Sequence, residues 1–353
     1  MTKIRTAMVG GGIGGFIGEI HRMAMRLDDR FELIAGALSS DETRAMESAK
    51  DLGIRGYPTW LELFEKEQSN IDCVVIVTPN DSHAEIATAA LSAGYHVMLD
   101  KPMTRTLEEA IVLAELAQQT DCVFSMTYSY TGYPMVRQMR QRILAGDIGA
   151  VRTVSVDYRQ GWLAEPIEKE GQKQASWRTD PKQSGAGALG DIGSHAEQLA
   201  RFTTGLSIKQ VRGDVHSLVR GRKVDDHACV QVKMEQGVVG DLVCSQVCTG
   251  ERNHVSVRVW GEKGTLAWSH DACDALKFTA HDGTETINYC NANRAPSGHP
   301  AGFVEAFANI YKDMADKMQG VDVQIIDAKE GLASMMWIDA VLRSQETKSW
   351  CEV

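Results

Sequence analysis

From Ile4 to Gly18 the chain runs as a short apolar strand straight into glycine: Ile-Arg-Thr-Ala-Met-Val, then Gly-Gly-Gly-Ile-Gly-Gly-Phe-Ile-Gly. Gly10, Gly12 and Gly15 fit the spacing G-x-G-x-x-G, and a helical stretch, Phe16 to Leu27, follows. Strand, glycine turn and helix in that order restrict the fold strongly. The first glycine permits a tight turn, the second lets backbone approach a pyrophosphate, and the third lets helix and strand pack closely. Free N–H groups at the helix start then face the anion. The N-terminus is therefore expected to bind a dinucleotide, with Gly10, Gly12, Ile13, Gly15 and Phe16 around it.

The next hundred residues repeat the alternation. Strands are expected at Ile4–Val9, Phe31–Leu38, Cys73–Val77, His96–Leu99 and Cys122–Met126. Helical patterns lie between them, near 16–27, 41–52, 59–67, 82–93 and 107–119. Short apolar runs separated by amphipathic helices predict a parallel, doubly wound Rossmann sheet over residues 1–127. Beyond 127 the pattern changes. A helix at Pro134–Leu144 and a strand at Val151–Tyr158 lead to a glycine-rich loop, Ser184–Leu189, and a helix at Asp191–Phe202. Seven strand-like runs follow between Val211 and Tyr289, and two helices, Phe303–Met318 and Ala328–Gln345, close the chain. Residues 128–353 are thus expected to form an α+β domain with a large, mostly antiparallel sheet, for substrate binding and oligomer contacts.

With 353 residues the chain has length for two cores. A net charge of −10, with no run of Lys or Arg, argues against nucleic acid as a partner. There is no apolar run of about 18 residues, so no membrane span is expected, and no signal peptide is apparent. The eight cysteines are scattered without metal-ligand spacing. They read as reduced thiols of a cytoplasmic protein with no bound metal. A broad sheet face carrying Val, Leu and Trp is more easily buried against a copy, so a homodimer or homotetramer is expected.

Two motifs fall at C-terminal strand ends, where open α/β sheets bind ligands. They are Thr78-Pro79-Asn80-Asp81-Ser82-His83 and Asp100-Lys101-Pro102. Thr78, Pro79, Asn80, His83, Asp100 and Lys101 are accordingly assigned to the cofactor site. The residue before a proline favours extended structure, which aims Lys101 out of its strand end. After the second strand the chain reads Leu38-Ser39-Ser40-Asp41, with Arg44 one turn on, and no acid at the usual ribose position. Ser39, Ser40 and Arg44 are assigned to the adenosine ribose, where they could also accept a 2′-phosphate. Further on, Asp191 and His195 are spaced i, i+4 at the start of a helix, on one face.

Together these segments resemble the glucose–fructose oxidoreductase, inositol dehydrogenase and MocA family of nicotinamide-dependent oxidoreductases. The glycine loop, the strand-end Lys101-Pro102 and the Asp191-Ile192-Gly193-Ser194-His195 helix stand in the family's order. The family's usual Glu-Lys-Pro is Asp-Lys-Pro here. The resemblance spans essentially the whole chain and implies that Lys101, Asp191 and His195 are catalytic. The segments 14–22, 130–138, 158–163 and 177–181 are similar to the levoglucosan dehydrogenase-like branch. That branch oxidises a secondary hydroxyl of a sugar or anhydrosugar, typically at C3, with NAD. NAD is therefore the expected cofactor, with NADP the alternative.

The residue types suit that chemistry. Oxidising an alcohol needs a proton acceptor on oxygen while hydride leaves carbon. The imidazole of His195 is a suitable base near neutral pH. Lys101 would stabilise alkoxide character on the oxygen, and Asp191 would orient Lys101 or the hydroxyl. Sequence leaves open whether Lys101 or His195 takes the proton. Trp162 and Trp177 offer apolar faces to a sugar ring, and Tyr130, Tyr133, Arg159, Gln160 and Arg178 offer hydrogen bonds to its hydroxyls. The Arg178 fork would also match an anionic substituent. The alternative activity is oxidoreductive glycoside cleavage, in which C3 oxidation and elimination occur with NAD retained.

Overall fold

Short buried runs build the first sheet. The computed structural model describes residues 2–292, 294–296, 299 and 302–353. β1 (Ile4–Gly10), β2 (Phe31–Ala37), β3 (Arg55–Gly56), β4 (Cys73–Val77), β5 (His96–Leu99) and β6 (Phe124–Met126) lie in the order β3-β2-β1-β4-β5-β6. Every pairing is parallel. β4 is buried at all five positions, as a central strand covered on both faces requires. The connecting helices are α1 (Phe16–Leu27), α2 (Glu42–Leu52), α3 (Trp60–Lys66), α4 (His83–Ser92) and α5 (Leu107–Gln119). Their starts are written in the sequence. The side chains of Asp41 and Thr59 cap α2 and α3, and Thr106 with Glu109 forms a capping box on α5. Strand order reverses between β1 and β4, so their C-terminal ends open the crevice at which such sheets bind ligands.

The second sheet is broader. It uses β7 (Val151–Arg159), β8 (Ile208–His216), β9 (His227–Met234), β10 (Val239–Ser245), β11 (His254–Gly261), β12 (Gly264–Ser269), β13 (Ala275–Ala280), β14 (Glu285–Tyr289) and β15 (Cys351–Glu352). The order is β14-β13-β12-β11-β7-β10-β9-β8-β15. Among the described residues of this sheet only β7 and β10 pair in parallel; the other ladders are antiparallel. Val154, Val156 and Tyr158 of β7 are buried while their neighbours are not, the alternation of a sheet covered on one face. The helices of this region are α6 (Pro134–Leu144), α7 (Lys173–Arg178), α8 (Pro181–Ser184) and α9 (Ser194–Thr204). The helix expected at Asp191–Phe202 is two elements. A π-helical turn spans Leu189–Gly193 and α9 begins at Ser194. The extra residue in that turn is invisible to hydrophobic periodicity, and such turns recur at functional sites.

By internal contacts the chain forms two units. One is Met1–Ser129 with Phe303–Leu332, the other Tyr130–Gly302 with Ala333–Val353. Thus α10 (Phe303–Met318), which a linear reading places with the second sheet, belongs to the first unit, while α11 (Ala328–Thr347) closes the chain's helices. The reason is tertiary. Phe307, Ile310, Tyr311 and Met314 of α10 pack into one core with Met25 of α1, Met8 of β1 and Phe31 of β2. No described helix is long and apolar enough to cross a membrane.

His21 of α1 is sealed in this core. Its ring meets Phe307 at 5.0 Å and Tyr311 at 5.8 Å, both edge-on. Nδ1 lies 2.7 Å from the Tyr311 hydroxyl. Burial pulls its pKa from 6.5 to about 4. Between those values the unfolded chain holds the proton and the folded chain does not. Stability therefore falls as pH drops through that window, by about 3 kcal/mol at most, and levels off below it. Urea denaturation of the wild type and a His21→Gln variant from pH 7 to 4 checks this. Parallel pH slopes for the two proteins would exclude a neutral buried His21.

Candidate functional site

In the first unit the glycine turn is built against two strand ends. Gly10 has φ +82°, and a Cβ on it would lie 2.9 Å from the Val77 carbonyl oxygen of β4. Gly12 is also required. A Cβ there would meet the Ser48 hydroxyl at 2.6 Å and the Leu38 carbonyl at 2.7 Å, so the protein's own chain presses on it. Its amide donates to Leu38 O at 3.0 Å, and the Ile13 amide donates to Ser48 Oγ at 3.0 Å. Close packing of helix on turn, expected of Gly15, falls chiefly to Gly18. A Cβ on Gly18 would lie 2.3 Å from Gly11 O, against 3.0 Å from Gly12 O for Gly15. Beneath the turn, Arg22 Nη1 donates to Gly11 O at 2.6 Å. Ile13 and Phe16 stand 49% and 64% exposed at the lip of the loop. A glycine cradle at a helix start, edged by exposed apolar side chains, fits a dinucleotide.

The neighbouring strand ends are tied together. Asp100 Oδ1 accepts the Lys101 amide at 2.9 Å and the Thr127 hydroxyl at 2.7 Å. The Lys101–Pro102 peptide is cis. The His83 ring, assigned to the cofactor, is only 1% exposed. Nε2 sits 2.9 Å from Thr78 O and Nδ1 2.9 Å from Pro102 O, so the ring bridges two strand ends. Burial lowers its pKa, against the nearby Asp100 carboxylate. Asn80 is also buried, and the Thr78 hydroxyl accepts from Ser82 at 2.7 Å. Beyond β2, Ser40 and Arg44 are exposed. The Asp41 carboxylate is used to cap α2, accepting the Arg44 amide at 2.8 Å.

In the second unit the expected residues form a continuous hydrogen-bonded web. Asp191 Oδ2 accepts from Gln246 Nε2 at 2.8 Å and from Arg178 Nε at 3.3 Å. Arg178 lies 4.2 Å over the Trp177 ring and donates to Gln174 Oε1 at 2.5 Å. Gln160 links Asp191's surroundings to a tyrosine cluster. Its Oε1 accepts from Trp162 Nε1 at 3.0 Å and Gln246 Nε2 at 3.4 Å, while its Nε2 donates to Asn253 Oδ1 at 2.7 Å. Asn253 Nδ2 donates to Tyr130 OH at 3.0 Å, Tyr130 to Tyr158 OH at 2.8 Å, and Tyr158 back to Asn253 Oδ1 at 2.9 Å. In this closed ring every member donates and accepts, which fixes both phenols without charge. Burial raises the Tyr130 hydroxyl to about 12 and Tyr158 further, so both stay protonated. The His195 ring stands edge-on to Tyr130 at 5.1 Å and tilted to Tyr158 at 6.0 Å.

Two of the expected residues make other contacts. Tyr133 is 1% exposed, stacks on Tyr130 at 6.0 Å, and its hydroxyl lies 3.1 Å from His270 Nε2. It braces Tyr130 from within the core. Arg159 follows Tyr158 on β7, so its side chain takes the opposite sheet face, where it pairs with Asp157 at 2.6 Å. Gln246, Asn253 and Gln174 were not foreseen. Gln246 and Asn253 lie in the loop after β10, with no motif to mark them. Tyr158, in the 158–163 segment, joins this web through its hydroxyl.

The first unit's sheet order and glycine turn, with the second unit's mixed sheet and polar web, define a dinucleotide-dependent oxidoreductase. Residues 4–128 match the family described as "Oxidoreductase family, NAD-binding Rossmann fold", and residues 136–267 match "GFO/IDH/MocA C-terminal domain". The chain belongs to the Gfo/Idh/MocA family of NAD(P)-dependent oxidoreductases. The uncharacterized oxidoreductase YfiI of Bacillus subtilis (strain 168) is 32% identical, over 99% of this chain and 96% of that one. Levoglucosan dehydrogenase of Pseudarthrobacter phenanthrenivorans is 27% identical over 86% of this chain and 83% of its own. Among solved structures, an inositol dehydrogenase homolog from Azotobacter vinelandii, complexed with NAD+, superposes with a TM-score of 0.95. It is 32% identical and covers 100% of this chain and 98% of its own.

Proposed function

We propose that this chain is an NAD-dependent dehydrogenase of a polyhydroxylated ring. It oxidises one secondary hydroxyl, at C3 of a sugar, anhydrosugar or sugar derivative. The observation that carries this reading is the web around Asp191. Fixed hydrogen-bonding side chains, an imidazole and the indole rings of Trp162 and Trp177 are the groups a pyranose ring needs: apolar faces and oriented polar partners. Bound nicotinamide would supply the hydride acceptor. His195 and Lys101 serve the substrate oxygen, one receiving its proton and one stabilising its developing charge. Asp191, held by Gln246 and Arg178, orients that hydroxyl. The glycine turn and the strand ends bearing Thr78, Asn80 and Asp100 hold the dinucleotide. Sequence similarity to levoglucosan dehydrogenase and an inositol dehydrogenase homolog supports a ring polyol.

A panel of levoglucosan, myo-inositol, aldoses, uronic acids and glycosides, each with NAD+ and NADP+, tests the reading by absorbance of the reduced nicotinamide. Reduction of NAD+ by one ring polyol is the expected result. A strict need for NADP+ would move Ser39, Ser40 and Arg44 to a 2′-phosphate site. Aglycone release from a glycoside without net NADH would instead mean the eliminating activity. No reduction with any polyol would contradict the proposal.

A further inference from the structure

We propose that Asp225 is a positioning residue that holds the backbone carrying Asp191 in its working geometry; this rests on the catalytic reading given above. Three successive amides leading into the π-helical turn are taken by this one residue. The Gly187 amide donates to Asp225 Oδ1 at 2.7 Å, the Ala188 amide to Asp225 O at 3.0 Å, and the Leu189 amide to Asp225 Oδ2 at 2.6 Å. Carboxylate bonds to backbone N–H groups are among the stronger hydrogen bonds available. The approach is so close that a Cβ on Gly187 would lie 1.9 Å from Asp225 O. Glycine is therefore the residue that position allows.

The clamped stretch runs directly into the turn. The Asp191 amide donates to Gly187 O at 2.9 Å, the Ser194 amide to Leu189 O, and the Ser194 hydroxyl to Gly190 O at 2.8 Å. The next residue, Asp226, acts on the same aspartate from the other side. Its carbonyl accepts the Gln246 amide at 2.9 Å, and the Gln246 side chain holds Asp191. The Asp226 carboxylate is itself anchored by the amides of Leu218 and Val219 at 2.7 and 3.0 Å and by Arg222 at 3.1 Å. Residues 225 and 226 thus fix both the backbone of Asp191 and the side chain that orients its carboxylate. A catalytic group displaced by about 1 Å can lose on the order of 100-fold in rate, which gives such a clamp its consequence.

Amide hydrogen exchange and turnover test this together. In the wild type the amides of Gly187, Ala188 and Leu189 are expected to exchange slowly; fast exchange overturns the clamp without any variant. Asp225→Asn removes one of two carboxylate acceptors. It is expected to speed exchange across 187–191 and to lower kcat about tenfold or more, with NADH affinity unchanged. Turnover is read with levoglucosan or myo-inositol, whichever the panel above shows to be oxidised. If Asp225 acts through Asp191, its effect on kcat shrinks to under about twofold in an Asp191→Asn background, because the two act as one unit. An equal loss in both backgrounds would mark Asp225 as a structural staple only and overturn the proposal. Full kcat for Asp225→Asn would do the same. Full kcat for Asp191→Asn, or no polyol turned over at all, would instead remove the catalytic reading on which it rests.

Discussion

Lys101→Ala and His195→Ala are each expected to lower kcat by about 10²–10⁴-fold, the usual contribution of a positioned acid–base or charge-stabilising group. NADH affinity is expected to stay within about threefold, because the glycine turn supplies the main dinucleotide contacts in this account. The structure explains why these two positions are held. Lys101 leaves β5 with its amide fixed on Asp100, whose carboxylate is pinned by Thr127. His195 stands against two buried tyrosines that a closed hydrogen-bonded ring keeps neutral. The pH profiles separate their roles. The variant that lacks the proton acceptor loses the acidic limb of the kcat/KM profile, and the other keeps it. Wild-type turnover in both variants would contradict the assignment.

Gly18→Ala is expected to weaken NADH binding at least tenfold, a loss of about 1.4 kcal/mol. The added Cβ would sit 2.3 Å from Gly11 O and 2.4 Å from Gly11 Cα, both backbone atoms. Neither can turn aside as a side chain could, so α1 or the turn must move, at a cost of about 1–3 kcal/mol for overpacking. Gly15→Ala meets only a 3.0 Å contact and is expected to be milder. The ranking is informative because the fingerprint assigns the close packing to Gly15. Fluorescence titration of NADH against both variants gives the answer. A larger loss for Gly15→Ala than for Gly18→Ala would restore the fingerprint's assignment.

Most of the first sheet could be read because its strands are short, apolar and bounded. β4 and β5 coincide with their expected limits, as do α1, α5, α6 and α10. The two-residue strands β3 and β15 and the short helices α7 and α8 carry too few residues to show a period. The placement of α10 with the first unit depends on which core its Phe307 and Tyr311 enter, which periodicity does not state. At the site, Asp191 and His195 stood in a local motif, so sequence reached them. Gln246 and Asn253 did not. Gln246 lies 55 residues from Asp191 and Asn253 lies 123 from Tyr130, and only the sheet brings them together. Arg159 and Tyr133 show the converse. Each has a suitable side chain in a suggestive segment, but strand alternation turns one away and core packing encloses the other.

Isotope transfer shows whether hydride passes directly from a ring carbon to the nicotinamide. The polyol selected by the panel is prepared with deuterium on the carbon to be oxidised and incubated with NAD+ and the enzyme. The released reduced nicotinamide is expected to carry one deuterium at C4, with a keto polyol formed in equal amount. Reduced nicotinamide without deuterium, or a labelled polyol recovered unchanged beside unreduced NAD+, would contradict it.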